Sequence, residues 1–228
     1  MKHIFVDFEM QPLDKKYKAE REICKAEIIE IGAIAWDDSF NEISSYKRYV
    51  KPAFSNHISR NITELTGIND GTVFYSSKSI ADELNDFAAW CLDFKDEFKV
   101  HAWSENDLNQ ILREYQIKNL TLSDKLKKVV DNWHDLQLDY DKAVGAEKST
   151  SLSKALESLG IYFDGKMHDA LDDARNTATI FKEMSDPEEF QKSIAYINEL
   201  KNTTSRSSGT TLGDLIDFSK FKFDDNVG

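Results

Sequence analysis

Two carboxylates near the start of the chain have the spacing of a chemical site. Asp7 and Glu9 lie in the apolar stretch 3–10, which is typical of a buried β-strand. Residues two apart in a strand project from the same face, so the two acids are neighbours. Burying them side by side removes hydration and adds repulsion, and a divalent cation held between them would relieve both costs. The ordinary alternative is a strand that frays into solvent at Asp7, with both acids hydrated.

Three further side chains lie where one predicted element gives way to the next. Asp107 follows the predicted strand 98–103 and precedes a helical pattern. Ligands of α/β sheets collect just outside the strand ends, so Asp107 is a candidate ligand. His168 and Asp173 lie five residues apart at the start of another predicted helix. Each also has an ordinary interpretation, as a helix cap, a partly exposed histidine or an acid that suits the helix dipole.

Two of these assignments have a competitor close by. Glu105 lies two residues before Asp107, in the same connection between strand and helix. If the last core helix starts at Asp169, that residue can cap it and Asp172 takes a capping-box-like position, which leaves Asp173 free to face a cleft. A later start of the helix would make Asp172 the ligand instead.

Hydrophobic patterning predicts the sheet that positions these residues. Short connections link the first three predicted strands, which favours an antiparallel meander. Later strands alternate with amphipathic helices, which is typical of parallel pairing. We therefore predict an α/β fold with a mixed five-stranded sheet, antiparallel in its first three strands and then parallel, flanked by helices. The predicted strands are 3–10, 27–36, 44–51, 98–103 and 132–137, and the predicted helices are 58–67, 80–91, 108–115, 152–159 and 169–184.

Composition limits the classes of function. The chain has 228 residues and a formal net charge of -12, so a general basic surface for nucleic acid is excluded. A polyanion can still bind at one cleft where metal ions reverse the local field. The two cysteines, Cys24 and Cys91, form no CxxC pair, which argues against a zinc knuckle or a disulfide framework. No apolar run resembles a signal peptide or a membrane span, so we expect a cytoplasmic protein without a membrane partner.

Taken together, the motifs resemble those of a known enzyme family. Asp-x-Glu, then a single Asp, then His-x4-Asp is the motif order of the DEDDh exonucleases, the DnaQ-like or RNase T superfamily of 3′→5′ exonucleases. The resemblance covers residues 1 to about 184. Within it, the stretches 7–10, 28–33 and 64–68 are most similar to the KapD-like branch, which includes exonucleases that trim histone-mRNA 3′ ends. The matched residues are Asp7, Glu9, Asp107, His168 and Asp173.

The resemblance implies a fold, an activity and a role for each matched residue. It implies an RNase H-like domain that hydrolyses phosphodiester bonds at the 3′ end of single-stranded nucleic acid, RNA in preference to DNA, and releases nucleoside 5′-monophosphates. It implies two Mg²⁺ or Mn²⁺ ions and a histidine general base, where the sister subgroup has a tyrosine. The implied metal ligands are Asp7, Glu9, Asp107 and Asp173, the implied catalytic residues are His168 and Glu9, and the implied substrate contacts are Met10, Trp103 and Thr66.

Physical chemistry supports this set of roles. Phosphodiester hydrolysis places negative charge on the phosphate oxygens, on the attacking hydroxide and on the leaving oxygen. Two cations about 4 Å apart can stabilise both ends of such an in-line displacement. Carboxylates are ligands that Mg²⁺ prefers, and a histidine, which ordinarily titrates near neutrality, can accept a proton from the attacking water.

Residues 186–228 differ from the preceding chain, so we predict a domain boundary after residue 185. A weak helical pattern follows Pro187, and the stretch 202–211 has the Asn, Thr, Ser and Gly composition of a linker. Apolar and aromatic residues return in an acidic context at 212–223, which suggests a segment that binds a protein partner or docks on this chain. The alternatives to catalysis are therefore a nucleic-acid-binding scaffold without metals and an adaptor that acts through this tail.

Overall fold

A mixed sheet lies at the centre of the fold. The computed structural model describes residues 1–75 and 78–206. Its strands are β1 Lys2–Pro12, β2 Ala26–Trp36, β3 Glu42–Lys51, β4 Lys78–Ser79, β5 Phe98–Ala102 and β6 Trp133–Asp135. Their order across the sheet is β4-β3-β2-β1-β5-β6. The pairs β1–β2 and β2–β3 are antiparallel, whereas β1–β5, β5–β6 and β3–β4 are parallel.

Helices cover both faces of this sheet. In the described part of the chain they are α1 Lys18–Ile23, α2 Arg60–Thr66, α3 Asp70–Phe74, α4 Ile80–Asp93, α5 Asn106–Ile117, α6 Asp124–Asp131, α7 Leu136–Val144, α8 Leu152–Ser158, α9 Ala170–Met184 and α10 Pro187–Arg206. None of these helices is both long and apolar enough to cross a membrane.

The predicted mixed α/β sheet is confirmed, with two corrections. The sheet has six strands rather than five, because the two-residue strand β4 adds to the edge beside β3. The predicted strand 132–137 is too long at its end, since Leu136 already belongs to α7. The Asp135 side chain accepts a hydrogen bond from the Leu138 backbone N–H, and this cap starts the helix. Helix α6 was not predicted, because its only buried side chains, Leu126 and Val129, are too few to set a helical period.

The central strand β1 sends alternate side chains to opposite faces. Ile4, Val6 and Phe8 pack in the largest core cluster, together with the buried faces of α4, α5 and α6. Phe5 points the other way and packs with Ala174 and Ala178 of α9. The row of alanines predicted to let this helix lie close to the sheet is confirmed, and its first member, Ala170, is also fully buried.

Gly32 of β2 makes the closest approach of helix to sheet possible. It pairs with Asp7 of β1, so a side chain at this position would share the face on which Asp7 lies. A Cβ atom built on Gly32 would lie 2.2 Å from the backbone carbon of Ala170, which no real contact allows. The absence of a side chain at Gly32 therefore sets how near the first turn of α9 comes to Asp7.

Replacement of Gly32 by alanine should therefore destabilise the protein. The added methyl group meets backbone rather than a flexible side chain, so we expect Gly32→Ala to lower the free energy of unfolding by about 1–3 kcal/mol. Denaturant unfolding measures this loss. Gly71→Ala is the matched control, because its Cβ atom would meet only the end of the Asn69 side chain, at 3.1 Å, rather than backbone at 2.2 Å, and should cost clearly less. Equal stability of the two variants would contradict this account of the helix approach.

The C-terminal helix α10 packs on the domain through its apolar face. Phe190 and Ile194 join a core cluster with residues of α7 and α8, and Ile197 lies against Gly160 just after α8. The boundary after residue 185 stays a prediction. The predicted partner-binding segment 212–223 lies outside the described residues.

Candidate active site

Strand pairing brings an acidic cross-strand neighbour to the two acids of β1. Asp7 pairs with Gly32, and Glu9 pairs with Glu30. Immediately after Glu9 the register shifts, so that Met10 pairs with Ile28 and Ile29 is the extra residue on β2. Asp7 and Glu9 therefore lie on the α9 face of the sheet, near the carboxyl end of its central strand.

Helix α9 supplies the third carboxylate. One carboxylate oxygen from each of Asp7, Glu9 and Asp173 lies within 4.8 Å of the other two. Asp169 caps the helix by accepting a hydrogen bond from the Leu171 backbone N–H, as predicted. This early start of the helix turns Asp173 toward the acids of β1.

Asp172 projects elsewhere, so the two competing acids are separated in space. One of its carboxylate oxygens accepts a hydrogen bond from the Lys166 backbone N–H at 2.9 Å, and the other lies 3.5 Å from Arg175. The capping-box role predicted for Asp172 is not formed, because the Asp169 backbone N–H donates to the Lys166 carbonyl instead.

His168 lies at the edge of the three-acid group. Its Nδ1 atom is 3.8 Å from Glu9 Oε1, and about half of its side chain is exposed. Its backbone N–H donates to Asp173 Oδ2 at 2.9 Å, so Asp173 also fixes the backbone that carries the ring. The residue has a φ of 63°, a left-handed conformation that is uncommon for a side chain of this size.

The fourth acid comes from the helix that follows the strand next to β1. Asp107 is buried in the first turn of α5, which follows β5, and its carboxylate accepts a hydrogen bond from the Phe8 backbone N–H. It lies outside the 4.8 Å group, but its charge acts on Asp7. Its competitor Glu105 is exposed and makes no capping hydrogen bond. The structure thus places Asp107, not Glu105, with the other acids.

Burial and mutual repulsion raise the pKa of all four carboxyl groups. Burial is the largest cause in each case, and it lifts the pKa of Asp7 well above its ordinary range. The pKa of Glu9 is raised to about 8, that of Asp107 to about 7 and that of Asp173 to about 6. Within the described residues, no lysine or arginine forms an ion pair with any of them. Four carboxylates, two buried and two half-buried, with no lysine or arginine to neutralise them among the described residues, are a set that fits divalent metal ions.

A second charged group, which the sequence analysis missed, lies beneath the site. Glu30 is buried, and its carboxylate accepts a hydrogen bond from the Ala170 backbone N–H at 3.2 Å. Lys47 of β3 lies 3.2 Å from Glu30 and 2.5 Å from Asp169. One ammonium group therefore neutralises two acids and fixes the start of α9. Glu30, the one charged residue within the otherwise apolar stretch 28–36, was the available signal.

Removal of the Lys47 charge should leave Glu30 buried without a cation. We expect Lys47→Met to lower the free energy of unfolding by about 1–2 kcal/mol, less than a fully buried pair would lose because Lys47 is partly exposed. Denaturant unfolding of Lys47→Met, Glu30→Gln and the double variant measures the coupling. The double variant should lose less than the sum of the single losses, and strict additivity would contradict the pairing.

The three predicted substrate contacts lie in different surroundings. Met10 is half-buried and follows Glu9 directly. The Thr66 hydroxyl donates to the Ile62 carbonyl, and the Thr66 carbonyl accepts a hydrogen bond from Lys166 Nζ at 2.7 Å. Trp103 is 8% exposed.

The position of Trp103 corrects the predicted base contact. Its ring packs on Tyr140, and its indole N–H donates to the Thr150 carbonyl at 3.0 Å. The ring is part of an apolar core cluster, so it is not accessible for stacking on a nucleobase.

The raised pKa values predict how metal-free stability depends on pH. Because the folded pKa values of Glu9, Asp107 and Asp173 exceed those of ordinary carboxyl groups, the folded chain holds more protons than the unfolded chain between about pH 4 and pH 8. These groups therefore destabilise the metal-free fold progressively as the pH rises through this window. Thermal melts in EDTA should show a steeper fall in Tm from pH 5 to pH 8 for the wild type than for Asp173→Asn.

Addition of Mn²⁺ supplies the second half of this test. The increase in Tm on metal addition should be larger at pH 8 than at pH 5, because protons compete with the cation for the carboxylates. The assignment of Asp173 to the metal-binding acids would be contradicted if Tm fell equally with pH in the wild type and in Asp173→Asn and if Mn²⁺ left Tm unchanged.

The fold and the site together define a class of protein. A mixed sheet with antiparallel and then parallel strands, flanked by helices and carrying acids at the end of its central strand, is the RNase H-like architecture of nucleases. The family model of the RNase T exonucleases matches residues 4–181, and the chain belongs to this exonuclease family. The family predicted from the motifs is thereby confirmed. Exonucleases of the DEDDh type use divalent metal ions.

Known relatives agree with the predicted branch. ERI1 exoribonuclease 2 of Homo sapiens is 33% identical over 68% of this chain, and that of Xenopus laevis is 30% identical over 79%. The chain covers only 24% and 28% of the lengths of these two relatives. The nuclease domain of 3′hExo, a DEDDh family member solved with rAMP, has the same fold, with a TM-score of 0.68 and 22% identity over 80% of this chain and 90% of that one.

Proposed function

We propose that this chain is a metal-dependent 3′→5′ exonuclease that removes nucleotides from the 3′ end of single-stranded nucleic acid. The observation that carries the proposal is the group of Asp7, Glu9 and Asp173, whose oxygens lie within 4.8 Å of one another with no lysine or arginine paired to them in the described chain. Membership of the exonuclease family supports the reaction class. The products are nucleoside 5′-monophosphates.

The four acids would hold two Mg²⁺ or Mn²⁺ ions. When bound, such ions would neutralise the charge that develops on the phosphate and on the leaving 3′-oxygen. Asp7 and Glu9 approach the group from β1, and Asp173 approaches it from α9. Asp107 closes the group from the β5 side, where the Phe8 backbone N–H fixes its carboxylate.

His168 is the proposed general base. Its ring is half exposed at the edge of the acids, where an attacking water has access, and an imidazole nitrogen accepts the proton of that water. Glu9 Oε1 lies 3.8 Å from Nδ1 of this ring. Asp173 holds the backbone of His168 through its N–H. Two of the acids are therefore neighbours of the base as well as proposed ligands of the cations.

RNA is the proposed preferred substrate. The support is the name of the relatives, which are exoribonucleases, and the rAMP in the related nuclease domain. Met10 and the backbone at Thr66 are the proposed contacts to the terminal nucleotide, because Met10 follows Glu9 directly and the Thr66 carbonyl binds Lys166, two residues before His168. The proposed location of this activity is the cytoplasm.

Digestion of 5′-labelled single-stranded RNA and DNA with Mg²⁺ or Mn²⁺ tests the proposal. The wild type should give a ladder that shortens from the 3′ end, faster on RNA, and EDTA should abolish it. Asp7→Asn and His168→Ala should each lower the rate by at least about a hundredfold.

The neighbouring acids provide matched controls for this digestion. Asp172→Asn and Glu105→Gln should retain most of the activity, because neither side chain joins the four acids. A folded, metal-loaded wild type that cleaves neither polymer would refute the enzyme and favour a binding scaffold. A loss in Asp172→Asn that equals the loss in Asp173→Asn would refute the ligand assignment.

A further inference from the structure

The loop that carries the proposed general base is mostly exposed, so apolar packing alone does not hold it. Residues 161–168 connect α8 to α9 without regular secondary structure. Phe163 packs against a core cluster, but every residue from 164 to 168 is exposed. His168 is the last of these residues, and its left-handed backbone conformation depends on what surrounds it. Polar contacts of the loop therefore determine where the histidine ring lies.

Two of these contacts use carboxylates of α9. The Lys166 N–H donates to Asp172 Oδ2 at 2.9 Å, and the His168 N–H donates to Asp173 Oδ2 at 2.9 Å. Each carboxylate also has another partner or task, because Asp172 pairs with Arg175 and Asp173 belongs to the four-acid site. Asp172→Asn would keep an oxygen acceptor for the Lys166 N–H, so that variant remains a control for the ligand assignment.

Asn176 makes the third attachment of the loop to α9, and it binds the loop in both directions. Its Oδ1 atom accepts a hydrogen bond from the Asp164 N–H at 3.0 Å. Its Nδ2 atom donates to the Asp164 carbonyl and to the Asp172 carbonyl, each at 2.8 Å. The side chain thus uses its acceptor and both of its donor hydrogens. A carboxylate of the same size has no donor, so this set of contacts requires the amide.

Burial strengthens the Asn176 attachment. Asn176 is 2% exposed, so water does not compete for its hydrogen bonds. The loop lies so close to the helix here that a Cβ atom built on Gly165 would overlap the Asp172 carboxylate, and Gly165 has a φ of 86°. Asn176 fixes both the N–H and the carbonyl of Asp164, which stands four positions before His168. It therefore limits where the histidine ring can lie.

We infer that Asn176 is a positioning residue for His168. This role rests on the proposed exonuclease function, in which His168 accepts the proton of the attacking water. Asn176 forms no hydrogen bond with any of the four acids in the described chain, so it acts on the reaction through the loop. By holding the backbone at Asp164, it keeps the imidazole within reach of that water, and small displacements of a catalytic group lower rates strongly.

Asn176→Leu tests this role, because leucine has a similar volume and forms no hydrogen bond. We expect kcat for single-stranded RNA to fall about tenfold, with KM and the Kd for Mn²⁺ within about twofold of the wild type. Asn176→Ala is a second variant that removes the same contacts by truncation and should give the same pattern.

The matched control is Thr177→Val, at the next position of α9. Thr177 is 1% exposed, and its hydroxyl has no hydrogen-bond partner among the described residues. This substitution also makes a buried side chain of α9 apolar, but it removes no contact to the loop. We expect Thr177→Val to keep the wild-type kcat.

A comparison in the His168→Ala protein separates positioning from a general structural effect. Without the imidazole there is no ring to position, so Asn176→Leu should lower the residual rate of His168→Ala by less than about twofold. A distortion of α9 would instead displace Asp173 and lower the rate by the same factor with or without His168. Equal losses in the two proteins, a weakened Kd for Mn²⁺ or an unchanged kcat in Asn176→Leu would overturn the proposal.

Hydrogen exchange followed by NMR tests the loop contact without turnover. The Asp164 amide should exchange about tenfold faster in Asn176→Leu than in the wild type, and at the wild-type rate in Thr177→Val. An unchanged exchange rate at Asp164 in Asn176→Leu would overturn the role of Asn176. A wild type that cleaves no nucleic acid would refute the exonuclease, whereas faster exchange in Asn176→Leu would still support the hold of Asn176 on the loop.

Discussion

The burial of four acids beside one another is the constraint on which the rest of this structure depends. Asp7, Glu9, Asp107 and Asp173 come from three elements, and loss of hydration, together with the charges of neighbouring acids, raises the free energy of ionising each of them. Left alone, like charges at this depth would separate or stay protonated. The central strand cannot move, because β2 and β5 bind it on both sides. Helix α9 cannot move away either, because Glu30 and Lys47 fix its first turn and Gly32 allows its close approach.

Three other buried acids have a lysine partner, whereas Glu83, also buried, accepts a hydrogen bond from the Lys78 backbone N–H and has no ion pair among the described residues. Glu27 and Glu114 share the ammonium group of Lys118, and Glu30 has that of Lys47. These three acids therefore have a structural role: a lysine neutralises each of them, and each accepts a hydrogen bond from a backbone N–H group. In the described residues, the four acids of the site have no such lysine. The contrast between Glu27, Glu30 and Glu114, which have lysine partners, and the four acids of the site, which have none, is not visible in a count of acidic residues.

The sequence predicts the part of this arrangement that depends on local periodicity. The two-residue period of a strand places Asp7 and Glu9 on one face, and the capping preference of Asp169 sets the start of α9 and so selects Asp173. The Lys47–Glu30 pair depends on the register between β2 and β3, which local patterns do not fix. The burial of Trp103 could not be predicted for a similar reason. Its neighbours Tyr140 and Thr150 lie far along the chain, and they decide whether the ring faces the core or a ligand.

The central claim is that metal ions replace protons on the four acids. Calorimetric titration of the metal-free protein with Mn²⁺ near pH 7, in two buffers of different ionisation enthalpy, tests it directly. The account predicts two ions per chain and release of protons on binding, seen as heats that differ between the buffers, with both signals reduced in Asp173→Asn. Binding without proton release, or no binding to a folded wild type, would contradict it.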